Sequence, residues 1–236
     1  MNIPDMQKAI ITLGLVLLWV LPMEAQLKDQ TPLQVGFLIV DGVYNTEVIA
    51  PFDVFQHTIF HAPPGMEVFT VAPTKDIITT FEGLKIQPDY AFKDKDLPII
   101  DVLVVASAEH SMDSDLKNKE MISFVKRTGA RAQYVLSLCD GAFVLAQAGL
   151  VEGKVSTTFP ADIGRYREMF PHLQVRENVS FVHHDNLITS AGGVKSYDAA
   201  MYLVALLYGD EVARNLGKGL IIEWDLQQIK HLIVSP

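Results

Sequence analysis

One cysteine occurs in 236 residues. That scarcity excludes an intrachain disulfide framework and a cysteine-rich zinc site. Positive charge is also short. Nineteen Lys and Arg stand against 28 Asp and Glu, a net charge of −9 with no clustered basic run, and phosphate binding needs a basic surface, so nucleic acid is not an expected partner. A dinucleotide fingerprint is absent, because no G-x-G-x-x-G opens a helix. No repeat, linker or low-complexity segment interrupts the chain after residue 33. With apolar residues at 49% and charged residues at only 20%, a sizeable core is expected and disorder is not.

The N-terminal 25 residues differ in kind from the rest. Lys8 precedes the uncharged run "AIITLGLVLLWVL" (9–21), then Pro22 and "MEAQ". A basic start, an apolar stretch and a small residue at a cut site, here Ala25, describe a secretory signal peptide. The run is short of the ~20 residues that a membrane span needs; the alternatives are a core helix and an uncleaved anchor. Residues 1–25 are therefore expected to direct the chain to the periplasm or outside the cell.

From Leu33 onward, short β-branched apolar runs alternate with helical patterns. The runs "QVGFLIV" (34–40), "MEVFTVA" (66–72), "DVLVVAS" (101–107) and "QYVLSL" (133–138) read as strands buried on both faces of a parallel sheet. Helices are expected from near Ala50, with Pro51 in the first turn and Glu47 on a loop or preceding turn, then over 115–129, 141–149 and 161–170. A last helical stretch covers 196–216. "KVSTT" (154–158) and the segments "SFVHH" and "LITSA" read as further strands. Such alternation predicts an α/β, doubly wound, flavodoxin-like sandwich with a mostly parallel central sheet. Function in these folds sits at the carboxyl ends of the strands.

Cys139 stands at such an end. "LSLCDGAF" (136–143) passes from strand to helix with the cysteine at the junction. A side chain there is exposed at the top of the sheet beside a helix N-terminus, whose free N–H groups and dipole lower a thiol's pKa from about 8.5. Gly141 and Ala142 leave room for a sharp nucleophile elbow. The plain alternative is a buried, inert cysteine.

The blocks "VLSLCDGAFVLAQAGLVEGKVSTT", "FLIVDGVYNTEVIAPFDVF" and "NLITSAGGVKSYDAAMYLVALLYG" resemble the DJ-1/PfpI superfamily over residues 33–216, with 217–236 as a C-terminal extension. The branch resembled is that of isonitrile hydratases and the sensor domains of AraC-type regulators. The resemblance implies a flavodoxin-like homodimer acting on, or binding, a small molecule, with no cofactor. It also implies an acidic partner that hydrogen-bonds to the cysteine. Glu47 matches that position; the alternative is an ordinary exposed loop acid. Two departures bear on chemistry. The residue after the cysteine is Asp140 where protease-like members have histidine, and "TTFP" puts Phe159 where DJ-1-like members have histidine. Peptidase, deglycase and glyoxalase activities lose support accordingly. Asp140 is expected to raise the thiol's pKa unless it points away or caps the helix.

An oxyanion site is expected from the backbone amides of Ser107 and Ala108, with that of Asp140, although "ASAEHS" (106–111) replaces the glycine pair of the family. Gly192 and Gly193 are expected to form a turn lining the cysteine pocket. His183, His184 and Asp185 look like a metal set, but adjacent strand residues face opposite ways, so no metal is expected. Whether either histidine reaches Cys139 is left open. These features suggest an exported, cysteine-dependent hydratase or hydrolase of a small electrophile. The alternatives are a non-catalytic ligand-binding domain and a redox sensor; a DNA-binding regulator is disfavoured, because only about twenty residues follow Leu216.

Overall fold

A computed structural model describes residues 31–234; the expected signal peptide lies outside them. Eight strands form the main sheet: β1 (Leu33–Leu38), β2 (Met66–Ala72), β3 (Tyr90–Ala91), β4 (Val102–Val105), β5 (Tyr134–Leu138), β6 (Phe181–His184), β7 (Leu187–Ser190) and β8 (His231–Val234). Their order across the sheet is β8-β6-β7-β5-β4-β1-β2-β3. All neighbours pair in parallel except β6 with β7. Among the described residues six α-helices cover the faces: α1 (Asn45–Gln56), α2 (Lys119–Gly129), α3 (Gly141–Gln147), α4 (Ile163–Met169), α5 (Lys195–Tyr208) and α6 (Asp210–Leu220).

Strand alternation divides the core in two. Val35 and Phe37 of β1, Val102 and Val104 of β4, and Leu136 and Leu138 of β5 face one way, onto α1, α5 and α6. Leu38, Leu103, Val105 and Val135 face the other, onto α2, α3 and Tyr166 of α4. Because helices cover both faces, the strands carry continuous apolar runs instead of an in-and-out pattern. The chain leaves β1 toward β2 and β3, then returns to the other side of β1 as β4. That reversal opens a crevice above the carboxyl ends of β1 and β4, where α/β sheets bind ligands.

The fold corrects several expected boundaries. Helix α1 begins at Asn45 and carries Pro51 in its interior, so Glu47 lies in its first turn and not on a loop. A proline at position 51 has no N–H for the carbonyl of Glu47, but α1 is held by the packing of Val48, Val54 and Phe55 into the core, which outweighs the one missing bond. Only Val155–Ser156 of 154–158 is strand, in a small ribbon with Gln174–Val175 apart from the main sheet. The last helical stretch breaks at Gly209 into α5 and α6. Residues after 216 finish α6, bury Trp224 and add β8 to the sheet edge beside β6.

Candidate functional site

Cys139 follows β5 directly and has φ 54. A non-glycine residue in the left-handed region stores strain of order 1–3 kcal/mol, and three contacts hold it there. Its N–H donates to the Ser190 carbonyl at the end of β7 (3.0 Å). The next residue but one, Gly141, lies against the Val105 carbonyl of β4, where a Cβ would collide. Gly192, at φ +77, lies against Cys139 itself; a Cβ there would be 2.8 Å from the cysteine Cα. The expected elbow is present, and the Gly192–Gly193 turn closes one side of it.

Asp140 neither points away nor caps α3: its side chain makes no cap bond to that helix. The Cys139 thiol donates to its Oδ2 (3.8 Å), and the Thr158 hydroxyl donates to its Oδ1 (2.9 Å). The same Thr158 hydroxyl lies 3.0 Å from the Cys139 carbonyl. A hydroxyl has one proton, so it donates to one of these oxygens at a time. Burial, opposed by the Thr158 hydrogen bond and reinforced by nearby Asp162, pushes the Asp140 carboxyl up to about 6.

Glu47 is buried, not an exposed loop acid. Its oxygens accept from the Gly193 N–H (2.7 Å) and the Ser196 hydroxyl (2.9 Å). Burial raises its pKa against those two hydrogen bonds. The expected hydrogen bond from Glu47 to sulfur is not formed; among the described residues the thiol's carboxylate partner is Asp140. Glu47 instead ties α1 to the glycine turn and to the first turn of α5, and acts on the sulfur through its charge.

The thiol is pushed well above its ordinary pKa, first by burial, then by the charges of Asp140 and Glu47; the Asp140 N–H and the Ser107 hydroxyl oppose the rise. The expectation of a lowered thiol pKa is therefore corrected: burial and the two acids favour the protonated thiol. A helix terminus contributes about 0.3–1 kcal/mol at an exposed site and up to ~2 kcal/mol where partly buried, and here it works against burial beside two acids. The oxyanion expectation changes too. The Ala108 N–H donates to Ser111 Oγ (2.8 Å), the Gly192 N–H to Ser190 Oγ (3.2 Å) and the Gly193 N–H to Glu47. Of the amides expected to meet an oxyanion, that of Ala108 is thus already engaged, and so are both amides of the Gly192–Gly193 turn that lines the pocket. The Ser107 side chain, which sequence reasoning passed over in favour of its backbone, is fully buried and its hydroxyl has no hydrogen-bond partner among the described residues.

The histidines do not reach the site. His183 pairs across β7 with Ile188, which pairs with Leu136, three residues before Cys139 and so about 10 Å along the strand. His183 bonds Tyr202 Oη (2.7 Å) and the Asp185 carbonyl (2.6 Å), while His184 accepts from the Val155 N–H (2.8 Å). At the mouth of the site, Tyr44 packs against Phe81 with ring centroids 4.9 Å apart, and its N–H donates to the Ser107 carbonyl. A cleft of about 400 Å³, lined by Pro160, Ser180, Ala191, Lys195 and Lys230 among others, adjoins the Gly192–Gly193 turn.

A doubly wound sheet with a strained cysteine at a strand–helix elbow defines a nucleophile-elbow protein of flavodoxin-like fold. The DJ-1/PfpI family profile matches residues 33–206, and the chain belongs to that family. It is 30% identical over 185 residues to an isonitrile hydratase of Pseudomonas putida, covering 77% of this chain and 75% of that one. It is 21% identical over 199 residues to an HTH-type transcriptional regulator of Pseudomonas aeruginosa, covering 83% of this chain and 52% of the regulator. Among solved structures, a ThiJ/PfpI family protein from Pseudomonas syringae superposes with TM-score 0.70 at 23% identity, over 83% of this chain and 77% of that one. An AraC family transcriptional regulator from Pseudomonas putida does so with TM-score 0.69 at 19% identity, over 80% and 100%. Those last two likenesses bear on fold alone.

Proposed function

We propose that this protein is a cysteine-dependent hydratase of small electrophiles of the isonitrile class. The observation that carries the reading is the pairing of Cys139 Sγ with the Asp140 carboxyl, in a site that neither His183 nor His184 reaches to serve as base. A carboxyl held near neutrality is suited to take a proton and give it back.

The steps follow from that pairing. The Asp140 carboxylate takes the thiol proton as sulfur attacks the terminal carbon of R–N≡C, and the new C–S bond forms. Asp140 then returns the proton to that carbon, leaving a thioimidate, R–N=CH–S–Cys139. Water adds to the carbon with its proton going to nitrogen, giving R–NH–CH(OH)–S–Cys139. The C–S bond breaks, the hydroxyl proton passes to sulfur through Asp140, and R–NH–CHO leaves. The net change is addition of one water to R–N≡C. Likeness to an isonitrile hydratase over three-quarters of both chains supports the substrate class.

The test is formamide production from a simple alkyl isonitrile, followed by mass spectrometry in ¹⁸O-water. Wild type is expected to incorporate the label, with Cys139→Ala inactive and Asp140→Asn slowed by about 10²–10⁴. Labelled formamide from Cys139→Ala at the wild-type rate would refute the reading.

A second reading is a non-catalytic small-molecule-binding domain. The engaged amides of Ala108 and Gly193 favour it, as does the likeness to transcriptional regulators. It predicts ligand-induced stabilisation that survives Cys139→Ala. Peroxide sensing is the weakest of the three, because a thiol held above its ordinary pKa oxidises slowly. We also place the protein in the periplasm or outside the cell as a homodimer. Export rests on the signal-like pattern of residues 1–25, and N-terminal sequencing of the native protein tests it; sedimentation of the purified protein tests the dimer.

A further inference from the structure

Ser107 is fully buried, and among the described residues its hydroxyl finds no acceptor or donor. Buried hydroxyls are hydrogen-bonded in most proteins, and one left alone calls for an explanation. Its setting supplies one. Ser107 stands in the crevice where the sheet reverses direction, two residues beyond β4. Its carbonyl is fixed by the Tyr44 N–H (3.1 Å), and the next N–H, that of Ala108, is fixed by Ser111 Oγ. The backbone on both sides is held, and the side chain is left without a partner beside the elbow. Its hydroxyl makes no formed hydrogen bond to the Cys139 sulfur, yet it favours the charged form of that sulfur. The other donor acting on that sulfur in the same sense is the Asp140 N–H.

We propose that the Ser107 hydroxyl is a catalytic hydrogen-bond donor, which carries the negative charge on Cys139 sulfur as the thiol ionises and again as the C–S bond breaks. It takes the place of the backbone amide of Ala108, whose proton is already engaged by Ser111 Oγ. In the resting thiol there is little charge to receive the bond, so the hydroxyl stands unpaired; the bond forms when charge develops. This is the pattern of a group placed for the transition state instead of the ground state. The proposal deepens the hydratase reading and rests on it for the C–S step, but its first half concerns the thiol alone.

That separation gives the test. Alkylation of Cys139 by iodoacetamide, followed against pH, needs no substrate and reports thiolate formation directly. Ser107→Ala is expected to slow alkylation by about tenfold at a fixed pH below the thiol's pKa and to move the profile upward by about one pH unit, the effect of one charge-assisted hydrogen bond. The same variant removes an unsatisfied buried group, so its melting temperature is expected to stay level or to rise by up to about 4 °C. Ser137 supplies the control. It is also fully buried, and among the described residues its hydroxyl is unpaired, but it lies within β5 and not in the crevice loop after β4. Ser137→Ala is expected to match Ser107→Ala in stability and wild type in alkylation. Ser107→Thr, which keeps a hydroxyl, is expected to retain most of the wild-type rate.

An unchanged alkylation profile in a folded Ser107→Ala overturns the proposal. So does an equal slowing in Ser137→Ala, which would make the effect one of packing. If alkylation shifts as expected while no isonitrile is hydrated by wild type, the donor role stands and the substrate reading falls.

Discussion

The two ends of the main sheet treat polar groups in opposite ways. At the end holding His183, His184 and Asp185, each group has its partner: Tyr202 and the Asp185 carbonyl for His183, the Val155 N–H for His184, and Lys154 for the Asp185 carboxylate. At the end holding Cys139, the backbone is in the left-handed region, two carboxyls and a thiol sit together with raised pKa values, and the Ser107 hydroxyl is unpaired. A sheet end built only for stability resembles the first. Strain and unmatched polarity persist only where the surroundings over-determine them, and they gather where chemistry is done. The histidines, which attract a catalytic or metal reading from sequence, belong to the settled end.

The largest effect that would sharpen this contrast is at Gly192. Its φ of +77 and its contact with the Cys139 backbone leave no room for a side chain. Gly192→Ala is expected to cost about 3 kcal/mol or more in chemical denaturation and to abolish the selective reactivity of Cys139. A folded variant with wild-type stability would mean that the elbow is not held from this side.

Asp140→Asn comes next, with effects of opposite sign on stability and turnover. The folded-state value of Asp140 is about 6, against an ordinary 3.8. A raised carboxyl makes its contribution to stability below the unfolded value and loses it as pH climbs through the folded one. Wild type is therefore expected to lose up to roughly 3 kcal/mol between pH 4 and pH 7 from this group, because each tenfold change in proton affinity is worth about 1.4 kcal/mol. Asn, which cannot ionise and still accepts from Thr158, is expected to be more stable than wild type at pH 8 by that order and level with it near pH 4. Urea titrations at both values check this. Equal stability of the two proteins at both would show that Asp140 is solvated and no part of a buried acid pair. Thr158→Val is expected to act through the same carboxyl. Without its donor, Asp140 should titrate higher, and the acid limb of the hydration rate should move up by about one pH unit, at a cost of about 1–2 kcal/mol in stability. Thr158→Ser is expected to restore both.

Much of this architecture is legible in the sequence because its signals are local. Apolar runs such as 66–72 mark buried strands, and "LSLCDGAF" marks the elbow by the change from strand to helix pattern. The interior placement of Pro51 is not legible, because helix α1 is stabilised by core contacts that no window of sequence contains. Nor is the edge strand His231–Val234, whose pairing partner lies some fifty residues earlier. At the site, residue identities are legible and hydrogen-bond assignments are not. Cys139, Glu47, Asp140 and the glycine pair do converge. Yet Glu47 turns to Gly193 and Ser196, Asp140 turns to sulfur, and the Ala108 amide turns to Ser111. Donors and acceptors are shared out by three-dimensional competition, and a motif fixes only the candidates. Thr158 carries a sequence signal all the same: it lies in "TTFP", beside the Phe159 that stands in for a histidine.

The smallest effect tests the settled end. His183 is half-buried, and burial holds its pKa below the ordinary histidine value against the Asp185 carbonyl and carboxylate. A depressed histidine contributes stability above its unfolded pKa, near 6.5, and loses it as pH falls through the folded value. Wild type is therefore expected to weaken on acidification below pH 6.5 partly through His183. His183→Asn, which cannot take up a proton there, is expected to lack that share of the loss. At pH 8 it should cost only about 1 kcal/mol, the scale of a neutral hydrogen bond to Tyr202. Hydration rate and alkylation of Cys139 should not change, since about 10 Å of sheet separates the two ends. If His183→Asn instead moved the alkylation profile of Cys139, the two ends would be coupled through β7 and β5, and the division drawn between them would fail.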